Sequence, residues 1–354
     1  MKKKSSNAKK IIRNKLLNHL TDLRVKNIYK IFEKSITKNN PNLDKFLVAL
    51  SGGPDSLALT YLSKCYAILN KSHVNFIHVD HKLRKNSSKE AIELRNQLKK
   101  FNINCTILTW KGRKPKSNIQ SISRKNRYNL IFNYALKYNF KNILIAHHID
   151  DLYENFVMRL IRGSGLKGLI SFNKEKVVSN NNKSAVIMRP LLKLKKKNLI
   201  FLSNKIFQNY LKDPSNENTT FTRTRIRKLL NDLKREGFDE KKLQLTIKNL
   251  NDADNSIGFY EDQNIRLNSN YLKSKNRYIL NSEFFKQPHE VVFRSFSNLL
   301  RKVGGKYYAA RGKKINKILH QIDEKKFEKS TLSDCIIQKV NNSVIISKEN
   351  IGNK

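Results

Sequence analysis

Apolar residues fall along this chain in two alternating rhythms. Short unbroken apolar runs bounded by turn formers read as buried strands: Phe46–Leu50, Val74–Val79, Cys105–Trp110 and Ile143–Ala146. Longer stretches between and after them repeat their apolar positions every three or four residues. These, Asp55–Leu69, Ser88–Phe101, Ile122–Tyr138 and Asp150–Ile161, read as helices. Another helix is predicted from Asn27 to Lys38, closed by the turn Asn39-Asn40-Pro41-Asn42. Short buried strands alternating with helices of roughly ten residues or more predict a parallel sheet covered on both faces. The expected fold is α/β, a doubly wound, Rossmann-like parallel sheet whose ligands lie outside the carboxyl ends of its strands.

The rhythm changes after Asp213-Pro214-Ser215-Asn216. From Phe221 to about Phe259 the chain reads as helical and highly charged. From about Ser282 two helix-like stretches follow, Glu290–Lys302 and Lys313–Ile322. Cys335–Val340 and Val344–Ser347 then suggest a hairpin turning at Asn341-Asn342. Asn180-Asn181-Asn182 marks an exposed loop, and no long repeat is evident. Residues 1–40 are expected to form a basic tail and a leading helix, and 41–217 the catalytic sheet domain. Residues 218–281 are expected to form a helical connector, and 282–354 a small α+β C-terminal domain.

Charge narrows the partners. Lys and Arg number 72 against 28 Asp and Glu, a formal net charge of +44 over 354 residues. Abundant Lys, Asn and Ile point to a coding bias that accounts for part of the lysine. The shortage of acids is not explained that way, and self-repulsion at this charge calls for a polyanionic partner such as nucleic acid. Hydrophobic residues make up 39% of the chain, enough for a core. No apolar run approaches the roughly 18 residues of a membrane span, so no membrane partner is expected. Cys65, Cys105 and Cys335 are isolated in sequence, which argues against zinc, iron–sulfur and disulfide frameworks and suits a reducing cytosol. The basic first twenty residues resemble a transit peptide superficially, and equally a solvated tail that touches RNA.

The candidate chemistry begins at Ser51-Gly52-Gly53-Pro54-Asp55-Ser56, between a predicted strand and the helix it opens. Paired glycines let backbone amides approach an oxyanion. Ser51 and Ser56 offer hydroxyls, and a helix N-terminus adds partial positive charge. The lysine of the P-loop is missing, so this is not that motif. A carboxylate beside polyphosphate is repulsive unless a cation bridges them, which makes Asp55 a candidate Mg2+ ligand. An ordinary helix cap is its structural alternative. Asp151 and Glu154, three apart, place two carboxylates on one helix face, where they could hold an ammonium group or simply complement the helix dipole. His147 and His148 are adjacent at a strand end and must point to opposite sides, one toward a ligand and one into packing.

Ser-Gly-Gly-x-Asp-Ser resembles the motif of the N-type ATP pyrophosphatases, the PP-loop superfamily. His78-Val79-Asp80-His81-Lys82-Leu83-Arg84, Ser123-Arg124-Lys125-Asn126-Arg127-Tyr128 and Ala146-His147-His148-Ile149-Asp150-Asp151-Leu152-Tyr153-Glu154-Asn155 extend the likeness. So do Arg162-Gly163-Ser164-Gly165, Arg189-Pro190-Leu191-Leu192 and Arg223-Thr224-Arg225-Ile226-Arg227. In that order they resemble the tRNA(Ile)-lysidine synthetases, strongly from Lys45 to Leu230 and more faintly to Cys335. Asn155, Tyr153 and Thr224 depart from the family pattern.

The resemblance implies a ligase that joins free L-lysine to C2 of the wobble cytidine of isoleucine tRNA with a CAU anticodon. ATP would first adenylate the base, releasing pyrophosphate, and the lysine amine would then displace AMP. It implies ATP-binding roles for Ser51, Gly52, Gly53, Pro54, Asp55, Ser56 and His147, and catalytic roles for Asp55, Asp151, Glu154 and Arg124, while the fold's geometry places adenine and ribose at the end of the second strand, near Val79 and Asp80. Arg127, Arg162, Arg223, Arg225 and Arg227 would meet tRNA, although a solvated basic face is an equally ready account of several. Tyr307 and Tyr308 suit either base stacking or a core. A homodimer is left open. A thiolase-type PP-loop enzyme would share the adenylation but need cysteine chemistry this chain lacks, and a basic RNA-binding protein with an inactive loop is the remaining alternative.

Overall fold

A computed structural model describes residues 11, 15–38, 40–41, 43–84, 86–112, 119–172, 176–180, 183–211, 222–306, 309–324 and 327–349. The basic tail, Asn181, Asn182, Asp213 to Asn216, Tyr307 and Tyr308 therefore lie outside the described residues. The chain divides into two compact units, residues 1–239 and 240–354.

The first unit runs α1 (Leu23–Thr37), β1 (Lys45–Leu50), α2 (Pro54–Leu69), β2 (His73–Asp80), α3 (Ser87–Lys99), β3 (Cys105–Thr109) and α4 (Ile119–Lys137). It continues through β4 (Asn142–Ile145), α5 (Ile149–Ile161), α6 (Leu166–Ile170), β5 (Lys176–Asn180), β6 (Lys183–Met188), α7 (Lys196–Phe207) and α8 (Thr222–Arg235). The sheet order is β3-β2-β1-β4-β6-β5. Neighbours are parallel except the antiparallel hairpin β5–β6 at one edge. That hairpin is not foreseen in the sequence, which marks only an Asn-rich stretch at 180–182. Its first strand carries Lys176, Ser179 and Asn180, and its second reaches an apolar run, 185–188, only after Lys183 and Ser184.

Strand β1 shows why the sheet needs cover on both sides. Phe46, Val48 and Leu50 pack into a core shared with α1, α2 and α7, while Leu47 points the other way, into the core beneath α4. Alternate residues of one strand thus feed two cores, as the period of two requires. Helix α2 is buried nearly all round, by Leu57, Ala58, Leu59, Tyr61, Leu62, Cys65 and Tyr66, because it lies beneath α7. Asp22 starts α1 by accepting a hydrogen bond from Val25 N at 3.0 Å. The chain order reverses between β1 and β4, whose carboxyl ends lead directly into α2 and α5. This is the topological switch point where doubly wound sheets place ligands.

The second unit comprises α9 (Glu240–Asn268), β7 (Ser269–Leu272), β8 (Arg277–Leu280), α10 (His289–Gly304), α11 (Gly312–Asp323), β9 (Lys329–Leu332), β10 (Cys335–Val340) and β11 (Ser343–Lys348). Its strands form an antiparallel sheet in the order β7-β8-β11-β10-β9. Val340 pairs with Ser343 across the expected two-residue turn, with Asn341 in the left-handed region at φ 52. Of the stretch 218–281, α8 falls in the first unit, α9 in the second, and Gly237 turns the chain between them at φ +85. The last part of that stretch is strand, not helix. β7 follows α9 without a Pro or Gly to announce the change, which is why the helical reading ran past it. Among the described residues no helix is long and apolar enough to cross a membrane, and Cys65, Cys105 and Cys335 are buried free thiols.

One buried ion pair ties this second unit together. Arg294 of α10 lies 2.6 Å from Asp254 of α9, with side chains only 2% and 3% exposed, and reaches Glu290 at 2.7 Å. Removing one partner of such a pair strands the other charge away from water. Arg294→Ala is therefore expected to destabilise this unit by about 3 kcal/mol or more, measured by chemical denaturation. A change below about 1 kcal/mol would show that water reaches the pair.

Candidate active site

Loop 51–56 leaves β1 and closes into α2. Gly52 has φ +90, and a Cβ there would lie 2.6 Å from Leu211 Cδ1, so the position demands glycine twice over. Leu211 N also donates to Gly52 O at 3.0 Å, fastening the chain after α7 against the loop. Gly53 is the N-cap and Pro54 opens the first turn, and no side chain caps this helix start. A Cβ on Gly53 would meet only Ser51 Oγ, at 3.8 Å, so the space before the helix start is open. The two serines differ in role. Ser56 is buried, donates to Gly53 O at 2.8 Å and accepts from Gly52 N at 3.0 Å, which braces the turn. Ser51 is exposed, and its hydroxyl donates to Ser56 Oγ at 3.3 Å.

Behind the loop stands an acidic group. His148, only 2% exposed, is the N-cap of α5. Its Nε2 lies 3.6 Å from Asp55 Oδ2 and 3.5 Å from Asp151 Oδ2, and its Nδ1 lies 3.3 Å from Asp150 Oδ2. The Asp150 contact is close but off the hydrogen-bonding direction, so it acts through charge. Burial works to lower the imidazole's pKa, but Asp150, Asp55 and Asp151 outweigh it and raise the value to about 10. Burial likewise opposes ionisation of Asp150, yet His148 and the Lys196 amide hold its pKa down to about 2. Asp151 accepts from His148 N at 3.1 Å, so it completes the helix start as well as facing the group. Asp55 Oδ1 is buried without a hydrogen-bond partner. An orphaned carboxylate oxygen beside a helix N-terminus and open space fits a cation-bridged polyphosphate. The described residues hold no cluster of three or more His, Cys, Asp or Glu side chains suited to a metal, so protein ligands to Mg2+ would be few.

Glu154, one turn further along α5, is only 3% exposed and is already paired. Arg227 Nε lies 2.6 Å from its Oε1, and Nη2 lies 3.4 Å from Oε2. Helix α8 packs on α5 through buried Ile226 and Leu230 and so delivers this arginine inward. Arg227 thus leaves the basic strip in which its spacing had placed it. Arg223 remains half-buried and Arg225 exposed.

The adjacent histidine faces other company. His147 meets Phe172 in a tilted contact with ring centroids 5.0 Å apart, and Arg189 lies over the same ring at 5.2 Å. Burial first, then Arg189, Arg124, Arg223 and Arg127, push its pKa well below the usual histidine range, so it is neutral. Arg124 and Arg127 sit over Tyr128 at 5.3 and 5.8 Å. Among the described residues none of Arg124, Arg127 and Arg223 has a carboxylate at ion-pair distance, which leaves a positive flank beside the acidic group.

Several expected positions take other places. The Val79 side chain is 8% exposed and belongs to the core under α4, so only its backbone can meet a ligand. Asp80 braces the turn after β2, accepting from Lys82 N at 2.9 Å and Ser88 Oγ at 2.6 Å. Arg162 is exposed at the end of α5, where Gly163 at φ +65 stops the helix as expected. Asn155 accepts from Arg159 at 2.8 Å, and Tyr153 is buried. His81, in the turn after β2, has a buried Nδ1 with no hydrogen-bond partner. Burial, then Arg127 and His78, lower its pKa to about 4.

Two expectations follow from this geometry. Gly52→Ala should cost about 1–3 kcal/mol through the left-handed backbone and weaken ATP binding, checked by thermal melting and equilibrium titration. Unchanged nucleotide affinity would show that the loop can move aside. Unfolded His81 takes a proton near its ordinary 6.5 that the folded imidazole refuses until about 4, so folding stability falls as pH drops through that window. His81→Gln should flatten the pH dependence of the melting temperature there, and an unaltered slope would assign the effect to other groups.

Residues 25–233 match the model of the PP-loop domain family. The chain is 31% identical over 327 residues to the tRNA(Ile)-lysidine synthase of Rickettsia akari, covering 91% of this chain and 74% of that one. It is 31% identical over 319 residues to the tRNA(Ile)-lysidine synthase of Orientia tsutsugamushi, covering 86% and 70%. A third relative, from Bradyrhizobium diazoefficiens, is 35% identical over 199 residues, 56% of this chain and 54% of its own length. The open helix start behind a left-handed glycine, and the carboxylates gathered at the switch point, lie within the matched segment. The chain belongs to the PP-loop proteins and, among them, to the tRNA(Ile)-lysidine synthase family.

Proposed function

We propose that this protein uses ATP to adenylate the wobble cytidine of isoleucine tRNA with a CAU anticodon, and then joins free lysine to C2 of that base. The observation that carries this reading is the charge arrangement. A protein of formal charge +44 buries Asp151 and Glu154 at the switch point, with Asp55 partly buried beside them, next to a phosphate-accepting helix start. A polyanion and an ammonium must meet at one centre in this reaction, and each sign of charge is present for one of them.

Loop 51–56 would receive the pyrophosphate of ATP through the amides at the start of α2 and the exposed Ser51 hydroxyl. Asp55 Oδ1 would be the protein's ligand to Mg2+, which would neutralise charge on the departing pyrophosphate. The positive flank of Arg124, Arg127 and Arg223 suits the AMP phosphate or the RNA backbone. Asp151 and Glu154 would draw in the lysine ammonium, and a carboxylate there can accept the proton that the amine loses before it attacks C2. Cytidine C2 then loses the adenylated oxygen as AMP. Arg162 and Arg225, both exposed, are further candidates for phosphate contacts.

The test is incorporation of labelled lysine into unmodified isoleucine CAU tRNA with ATP and Mg2+. Asp55→Ala and Glu154→Gln are each expected to lower incorporation by about 100-fold or more. Pyrophosphate release that needs tRNA but not lysine, with no label in RNA, would retain the adenylating loop and remove lysine as the nucleophile.

A further inference from the structure

The acid that should hold an incoming ammonium already holds a cation of the protein's own. Glu154 is 3% exposed, and the Arg227 guanidinium meets it side-on at 2.6 and 3.4 Å. Asp151 and Asp55 also act on that guanidinium, so it sits within the field of the whole acidic group. A carboxylate buried this far cannot be left without a counter-charge, because the desolvation penalty is then unopposed. Whatever takes Arg227's place must be a cation at the end of a slender stem. A primary ammonium on an aliphatic chain meets that demand, with donors for the same oxygens.

We propose that Arg227 is a built-in occupant of the amino-acid ammonium site, and that lysine enters only by exchange with it. This rests on the lysine-ligating reading above and adds an order of events to it. The exchange conserves charge at Glu154, since one cation replaces another. It also links the site to RNA, because Arg223 lies one turn before Arg227 on α8 and shares its helix face. Arg223 belongs to the positive flank around His147, and Arg225 and Lys228 of the same helix are exposed. A phosphate strand that engages these cations draws on the helix that carries Arg227. The amino acid would then find Glu154 accessible once RNA is bound, and blocked before. Arg227 is accordingly a positioning residue: it governs access to the carboxylate and touches neither ATP nor the base.

The experiment is calorimetric titration of free L-lysine into the full chain, with and without isoleucine CAU tRNA. The variants are Arg227→Gln, Arg227→Lys and Glu154→Gln. Wild type is expected to bind lysine about tenfold or more tightly with tRNA than without it. Arg227→Gln should bind lysine without tRNA about as tightly as wild type does with it, which removes the dependence. Arg227→Lys keeps a competing cation and should behave like wild type, and Glu154→Gln should lose lysine binding in both conditions. Melting temperature and ATP affinity of each variant separate these effects from misfolding, and Arg227→Lys serves where Arg227→Gln does not fold. Weaker lysine binding in Arg227→Gln would overturn the proposal and make Arg227 a ligand of the amino acid. Equal binding by wild type with and without tRNA would overturn it as well. If wild type incorporates lysine into tRNA while either result holds, the exchange idea fails alone. If wild type neither binds nor incorporates lysine, the ligase reading fails and this inference with it.

Discussion

Gathering several carboxylates at one place, two of them buried, is the constraint around which the rest of the first unit is arranged. Asp55, Asp150, Asp151 and Glu154 converge at the first turns of α2 and α5, and an ionised group withdrawn from water is costly unless cations or amides meet it. The protein answers with His148 held as an imidazolium, with Arg227 reaching across from α8, and with backbone amides at His148 and Lys196. Each answer has a structural consequence. His148 must be the N-cap of α5, so the chain enters that helix directly from β4. Arg227 must point inward, so α8 packs on α5. Lys196 must present its amide to Asp150, which positions the start of α7, and α7 in turn covers α2.

The opposite sign of charge is organised just as closely. The excess cations of the sequence do not simply coat the molecule, for Arg124, Arg127 and Arg223 are drawn together around a neutral His147 and, among the described residues, have no carboxylate at ion-pair distance. Two adjacent histidines therefore mark a boundary. One belongs to the acidic group and carries charge, and the other belongs to the basic flank and carries none. Their separation follows from backbone geometry, because neighbouring residues leaving a strand point to opposite sides. A reaction that brings a polyanion and an ammonium to one centre needs such a boundary.

Much of this was legible in the residues. Strands β1 to β4 and the helices between them were readable because each strand is mainly apolar and each helix keeps its period, and the expected hairpin at Asn341-Asn342 has the register its spacing implies. Strands with polar or mixed composition were not readable: β5 is an edge strand, β6 opens with Lys183 and Ser184, and β7 continues from α9 without a breaker. At the site, the glycine positions and the shared face of Asp151 and Glu154 could be read because they depend on local geometry. The inward turn of Arg227 could not, since its partner is 73 positions away in the chain. Val79 shows the same limit in reverse. Its motif points to a ligand, while its place in a buried strand commits the side chain to the core.

Each of the two units closes around its own apolar core, with Phe46, Leu57 and Leu199 in one and Phe296, Leu299 and Ile337 in the other. The first is complete in sequence before the second begins, with every strand of its sheet drawn from residues ahead of Asp239. During synthesis the catalytic unit can therefore reach its native packing while the remainder is still being made. Errors of translation or damage in the later residues need not spoil it.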